Sequence, residues 1–197
     1  QLTSYADNFT MHLKAPGAVL LEGSIYVRGE NSPLLVESLQ KVKFNNTFVE
    51  ASDNITVLSG LDSIADYNSE DPEDVVDRLY PDFYDESVAT AIEVEDDSVE
   101  ITETARITSL TEGSDIDIFG DRDVDVFGTV VAGGKVGPTG VIWKGVDSIA
   151  RVTAGEQVRI ESGILASDSV IVTGGEAGLA DVSLNPDESI PVSVLIN

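Results

Sequence analysis

Residues 115–128 read DIDIFGDRDVDVFG, alternating acidic and apolar side chains with a strictness that only extended backbone accommodates. With period two, Asp115, Asp117 and Phe119 share one strand face, and Ile116 and Ile118 share the other. Asp123, Asp125 and Phe127 against Val124 and Val126 repeat the pattern, and GDRD between the halves has the composition of a turn. The simplest expectation is a β-hairpin with a β-branched inner face and an acidic outer face. Much of the chain has the same grammar: FTMHLKA (9–15), AVLLEGSIYVRG (18–29), LVESLQKVKF (35–44), VEITETARIT (99–108), ARVTA (150–154) and SVIVTG (169–174) are short runs bounded by Gly, Asn, Asp or Pro. Such spacing is that of an all-β sandwich or barrel. In the terminal SIPVSVLI (189–196), Ile190, Val192, Val194 and Ile196 face one way, while Pro191 removes a donor and argues for an edge position. No long internal repeat stands out, and residues 1–197 read as a single β domain.

Residues 62–86 break the alternation. Asp71 can cap a helix whose first position is Pro72, with Glu73 and Asp74 at the positive end of the dipole. Pro81 discourages continuation past Leu79 and Tyr80. One short, acidic helical insertion between strands is therefore expected, with Arg78 the only basic residue from Asp62 to Thr104.

Against 36 Asp and Glu stand 11 Lys and Arg, a formal charge of −25. Such a surface repels phosphate backbones and anionic headgroups, which excludes nucleic acid as a partner. No apolar run is long enough to insert directly into a membrane. In molar salt the Debye length falls to about 3 Å and the self-repulsion largely disappears. The composition thus points to a protein of a salt-saturated environment. There is no cysteine, which excludes disulfides, thiolate metal sites and cysteine nucleophiles. Gln1 is no initiator, which points to processing or to a missing leading residue.

No motif identifies a reaction, and no catalytic residue or cofactor is expected. EF-hand spacing fails in both frames: from Asp115, position 5 is Phe119 and position 12 is Val126, and from Asp121, position 6 is Val126. Calcium or another cation would have to use a nonstandard site built from Asp115, Asp117, Asp121, Asp123 and Asp125. The segment GTVVAGGKV misses the phosphate loop, because Gly134 occupies the lysine position and Val136 follows Lys135. His12 is the only histidine and has no GxSxG elbow to serve, so it reads as an exposed polar strand residue. Three sequons begin at Asn8, Asn45 and Asn54.

Two resemblances add to this reading. VRIESGILASDSVIVTGGEAGLADV (158–182) resembles two strands and a turn of the C-terminal β-domain of membrane-fusion adaptor subunits, without that family's coiled-coil and lipoyl halves. In overall character, an acidic, cysteine-free, strand-rich chain with one helical insertion resembles the single jelly-roll capsid proteins of icosahedral internal-membrane viruses of halophilic archaea. That resemblance implies a jelly-roll-like fold, a place in the virion shell, and partners that are copies of the chain and a related coat subunit. Residues 128–165 carry Lys135, Lys144, Arg151 and Arg159 together with Trp143, the expected contact with an acidic neighbour. The expected function is a structural assembly subunit adapted to high salt. The alternative is a secreted or cell-surface binding module, glycosylated or calcium-binding.

Overall fold

A computed structural model describes residues 1–79, 97–175 and 194–196. The expected all-β character holds, but the strands pair in parallel. After β1 (Leu2–Ser4), the chain winds in coils that visit the same walls in the same order. The first coil is β2 (Met11–Ala15) and β3 (Val19–Val27), and the second is β4 (Leu34–Ser38) and β5 (Val42–Ala51). The third begins with β6 (Ile55–Ser59), is interrupted by helices α1 (Leu61–Asn68) and α2 (Pro72–Leu79), and resumes at β7 (Val99–Ile101) and β8 (Arg106–Ser109). The fourth is β9 (Ile116–Gly120), β10 (Asp123–Val126) and β11 (Thr129–Ala132). A hairpin, β12 (Gly134–Gly137) and β13 (Gly140–Trp143), then leaves the wall before the fifth coil, β14 (Ile149–Ala154), β15 (Gln157–Ile160) and β16 (Ile164–Ala166). Finally, β17 (Ser169–Gly174) and β18 (Val194–Ile196) add to the ends of the walls.

Strands β2, β4, β6, β9, β14 and β17 form one six-stranded sheet, joined by parallel ladders throughout. The ten-stranded sheet is also parallel and is creased. β5 pairs with β7 through Val42–Phe44 and with β8 through Phe48–Ala51. Asn46, at a left-handed φ of 49°, sits at the crease. Met11 pairs with Leu34, Leu34 with Ile55, and Ala150 with Val170. An uninterrupted coil thus takes roughly 20 residues, a solenoid period.

Jelly rolls are antiparallel, so that expectation is corrected to a parallel β-solenoid. The hairpin expected at residues 115–128 is corrected with it. Alternation placed the faces as expected: Ile116, Ile118, Val124 and Val126 are fully buried. However, β9 pairs with β6 and β14, and β10 with β7 and β15. Gly120-Asp121-Arg122 is a corner between sheets rather than a hairpin turn. The corner is tight: a Cβ on Gly155, one coil later, would lie 2.1 Å from the Asp121 carbonyl oxygen.

In-register coils stack like residues into continuous core columns. Leu13, Val36, Val57, Ile118, Val152 and Val172 form one, and Val42, Val99, Val124 and Val158 form another. Burial at about 25 cal/mol per Å2 of apolar surface makes these columns the main stabilising element.

The two helices lie outside the six-stranded sheet. Leu39, Leu58, Ile64, Ala65, Val75 and Leu79 form a second core there, with Leu35 and Phe119 packed against it. The helix expected from Pro72 is present, and the Asp71 carboxylate accepts the Glu73 N–H at 3.1 Å. Helix α1 was not expected. Gly60 at its start contributes no side-chain cap; instead, Asp121 accepts the backbone N–H groups of Asp62 and Ser63 at 2.8 and 2.5 Å. Residues 80–86 of the expected insertion, and Ile190, Pro191 and Val192 of the terminal run, lie outside the described residues.

Candidate functional site

Outward-facing side chains of successive coils also stack, and this decides what the aspartates do. On the six-stranded sheet, Arg151 of β14 lies in register with Asp117 of β9. Its guanidinium reaches Asp115 at 2.9 Å and Asp117 at 2.8 Å. Burial raises the Asp117 carboxyl above its ordinary value, Arg151 offsetting only part of the penalty and Asp115 adding repulsion. Asp121 is committed to the α1 N-terminus, and burial likewise raises its carboxyl. On the creased sheet, Asp125 stands in register between Glu100 and Arg159. Burial first, and then repulsion from Asp123, raise it. The five aspartates are therefore divided among two walls and a corner. Among the described residues, no three His, Asp or Glu side chains converge to hold a metal ion.

The expected contact residues divide as well. Arg159 bonds Glu161 and stacks 5.2 Å from the centre of the Phe127 ring. Together with Arg151, it belongs to the coil walls. Lys135, Trp143 and Lys144 belong to the projecting hairpin and its exit, and all three are exposed. Lys135 pairs across the hairpin with Ile142, and Gly134 with Trp143. The indole lies over Gly134, where a Cβ would sit 3.0 Å from the ring. Ile142, Trp143 and Val146 are 55, 44 and 58% exposed, a concentration of apolar surface on one side arm. From Val126 to Val146 there is no acidic residue.

A second feature was invisible from sequence. An open cleft of about 370 Å3 lies between α1 and the six-stranded sheet, lined among others by Asp62, Asp66, Asp121, Tyr67, Phe119 and Thr153. The Tyr67 and Phe119 rings lie 5.7 Å apart, and the Tyr67 hydroxyl is 3.2 Å from that of Thr56.

The third feature lies under the helices. Glu37, within the run LVESLQKVKF, is fully buried on the outer face of β4. Arg78 of α2 grips it with both terminal nitrogens, at 2.6 and 3.1 Å, while Asn68 donates at 3.1 Å. His12 Nε2 stands 2.5 Å from the same carboxylate and donates to it, because an ionised carboxylate only accepts. Burial acts to raise the Glu37 carboxyl, but the bonds from Arg78, Asn68 and His12 outweigh it and hold it below the ordinary glutamate value. His12 is exposed, as expected of a polar strand residue, and its ring is also a member of this network. The network joins the first coil, the second coil and both helices. Among the described residues, no helix is long and apolar enough to cross a membrane. No family model, curated protein or solved structure matches this chain.

Proposed function

We propose that the chain is a structural assembly subunit of a salt-rich environment, its partners being other copies of itself. The observation carrying this reading is the side arm formed by β12 and β13. In a chain of charge −25, it presents Trp143, Ile142 and two lysines on a stretch without acids. Aromatic anchors flanked by cations are what protein interfaces favour. The coiled wall behind the arm is stiff, because the strands between its ends are packed on their core face and paired along both edges. The viral-coat version of the proposal leaned on an antiparallel jelly roll, so parallel coils withdraw that support while leaving assembly untouched.

Light scattering in molar potassium chloride tests the reading. The protein should form concentration-dependent higher species, and Trp143→Ser should weaken them about 30-fold, the roughly 2 kcal/mol of a hot-spot aromatic. A wild-type chain that stays monomeric at high concentration in that salt refutes it. The exposed sequon asparagines Asn8 and Asn54 favour a second reading, a glycosylated surface module. An intact mass of the native protein equal to that of the bare polypeptide eliminates that alternative.

A further inference from the structure

We propose that the cleft beside α1 seats the β12–β13 hairpin of a second copy, an inference that rests on the assembly reading above. The two surfaces are complementary in charge, and each carries exposed aromatic or apolar side chains. The cleft offers Asp62 and Asp66 over a floor of Tyr67 and Phe119, and among the described residues no lysine or arginine lines it. The hairpin offers Lys135 beside Ile142 on one face and Trp143 over Gly134 on the other, with Lys144 following directly. Asp121 is already engaged by the first N–H groups of α1, which leaves Asp62 and Asp66 as the carboxylates that meet an incoming cation. An aromatic floor rimmed by anions receives an apolar group carrying a cation through contact area and cation–π attraction together.

Geometry makes the contact intermolecular. The hairpin leaves the creased sheet after β11, whereas the cleft lies outside the six-stranded sheet under α1. Donor and acceptor are different patches of one molecule, so the contact is heterologous and propagates into rings or filaments instead of stopping at a two-fold dimer. Both patches lie on the side walls, so the contact needs neither end of the solenoid. Two bodies of this charge repel at long range, and molar salt removes that repulsion while leaving contact pairs and apolar burial in place. Association therefore strengthens with salt, the reverse of a purely ionic interface.

Sedimentation velocity in molar potassium chloride, with circular dichroism to confirm folding, tests the pairing. Trp143→Ser disables the hairpin; Thr153→Arg fills the cleft with the chain's own cation, and Asp66→Lys reverses its rim. Each variant alone should lose association at least tenfold. An equimolar mixture of Trp143→Ser and Thr153→Arg retains one intact cleft and one intact hairpin, and should form heterodimers and nothing larger. If Trp143→Ser dissociates the assembly while Thr153→Arg and Asp66→Lys assemble like the wild type, the cleft is not the seat, although the assembly reading survives. Absence of heterodimer in the mixture also overturns the pairing, and a monomeric wild type overturns both.

Discussion

Replacing Glu37 with glutamine removes one negative charge from beneath α2 and leaves Arg78 with Glu70 alone, at 3.1 Å. The Glu37 side chain is 1% exposed and that of Arg78 is 28% exposed, so the pair is buried on one side and reaches water on the other. Breaking a fully buried pair costs about 3–5 kcal/mol. The lower end applies here, because Arg78 keeps both a partner and some solvent: about 3 kcal/mol, or roughly 6–12 °C in melting temperature for a chain of this size. The loss should concentrate in the helices, since only they and the first coils meet this carboxylate. Amide hydrogen exchange over residues 61–79 should accelerate about 100-fold in Glu37→Gln if the helices open as a unit. The coil amides of β9 and β14 should change far less. The pH dependence has a definite sign. A carboxyl held below its ordinary 4.5 contributes stability that is full above that value and is lost as pH falls through its lowered folded value. The gap between wild type and variant should therefore close on acidification below 4.5. The double variant Glu37→Leu, Arg78→Met should recover part of the loss, because it removes the guanidinium that Glu37→Gln strands, while Asn68 and His12 still lack their acceptor and Glu70 its cation. Were the double variant as unstable as Glu37→Gln, or the exchange change spread evenly over the coils, the claim that this pair clamps the helices would be wrong.

Other outcomes follow from the same geometry. A Cβ on Gly60, whose φ is 95°, would lie 2.1 Å from the Asp121 carboxylate, so Gly60→Ala should destabilise through strain and displacement of the α1 cap. Asp121→Ala should cost about 1–2 kcal/mol, the worth of a cap, read by chemical denaturation. Ile118→Ala, at a fully buried position in the middle of its column, should cost about 2–5 kcal/mol by the same assay. Arg151→Ala leaves Asp115 and Asp117 facing each other. Because burial already raises Asp117, protonation relieves the defect: the variant's deficit should be largest at neutral pH and shrink as pH falls through the raised folded value. Thermal melts across pH would show it, and a pH-independent deficit would count against the assignment.

Side-chain faces were legible in the sequence, and partners were not. Period two put Ile116, Ile118, Val124 and Val126 inside because every pleated strand obeys it, parallel or antiparallel. What it cannot reveal is whether two consecutive strands pair with each other or with strands a whole coil away. The coil repeat itself was obscured by its interruptions: Ile55 pairs with Ile116 across the helices, and Ile116 with Ala150 across the hairpin. Those partners are 61 and 34 positions apart rather than about 20. Helix α2 carried local signals, Asp71 and Pro72, and was found. Helix α1 begins at a glycine and takes its cap from Asp121, a residue that belongs to the next coil, so no local signature exists. Glu37 looked like any outward strand residue until α2 was laid over it.

Parallel stacking also explains where the scarce cations sit. In-register neighbours on successive coils lie about 4.8 Å apart, and each outward residue has one above and one below. Like charges at about 5 Å repel by nearly 1 kcal/mol even in water and by about 3 kcal/mol at a half-buried surface. Acidic residues on a coil wall are therefore eased by a local cation, and several of them have one. Glu50 meets Arg28, Glu100 meets Lys41 and Lys43, Glu37 meets Arg78, and Asp117 meets Arg151. Glu100 shows the result: burial acts to raise its carboxyl, but bonds from Lys43 and Lys41 hold it below the ordinary value. The exposed acids on helices and connecting loops, such as Asp62, Asp66, Asp71 and Glu73, have room around them and can leave their repulsion to dissolved ions. Salt and arginine thus protect different parts of the molecule. Added salt should compensate for excess charge on the helices but not for a cation removed from a coil wall, where screening ions cannot enter between stacked side chains.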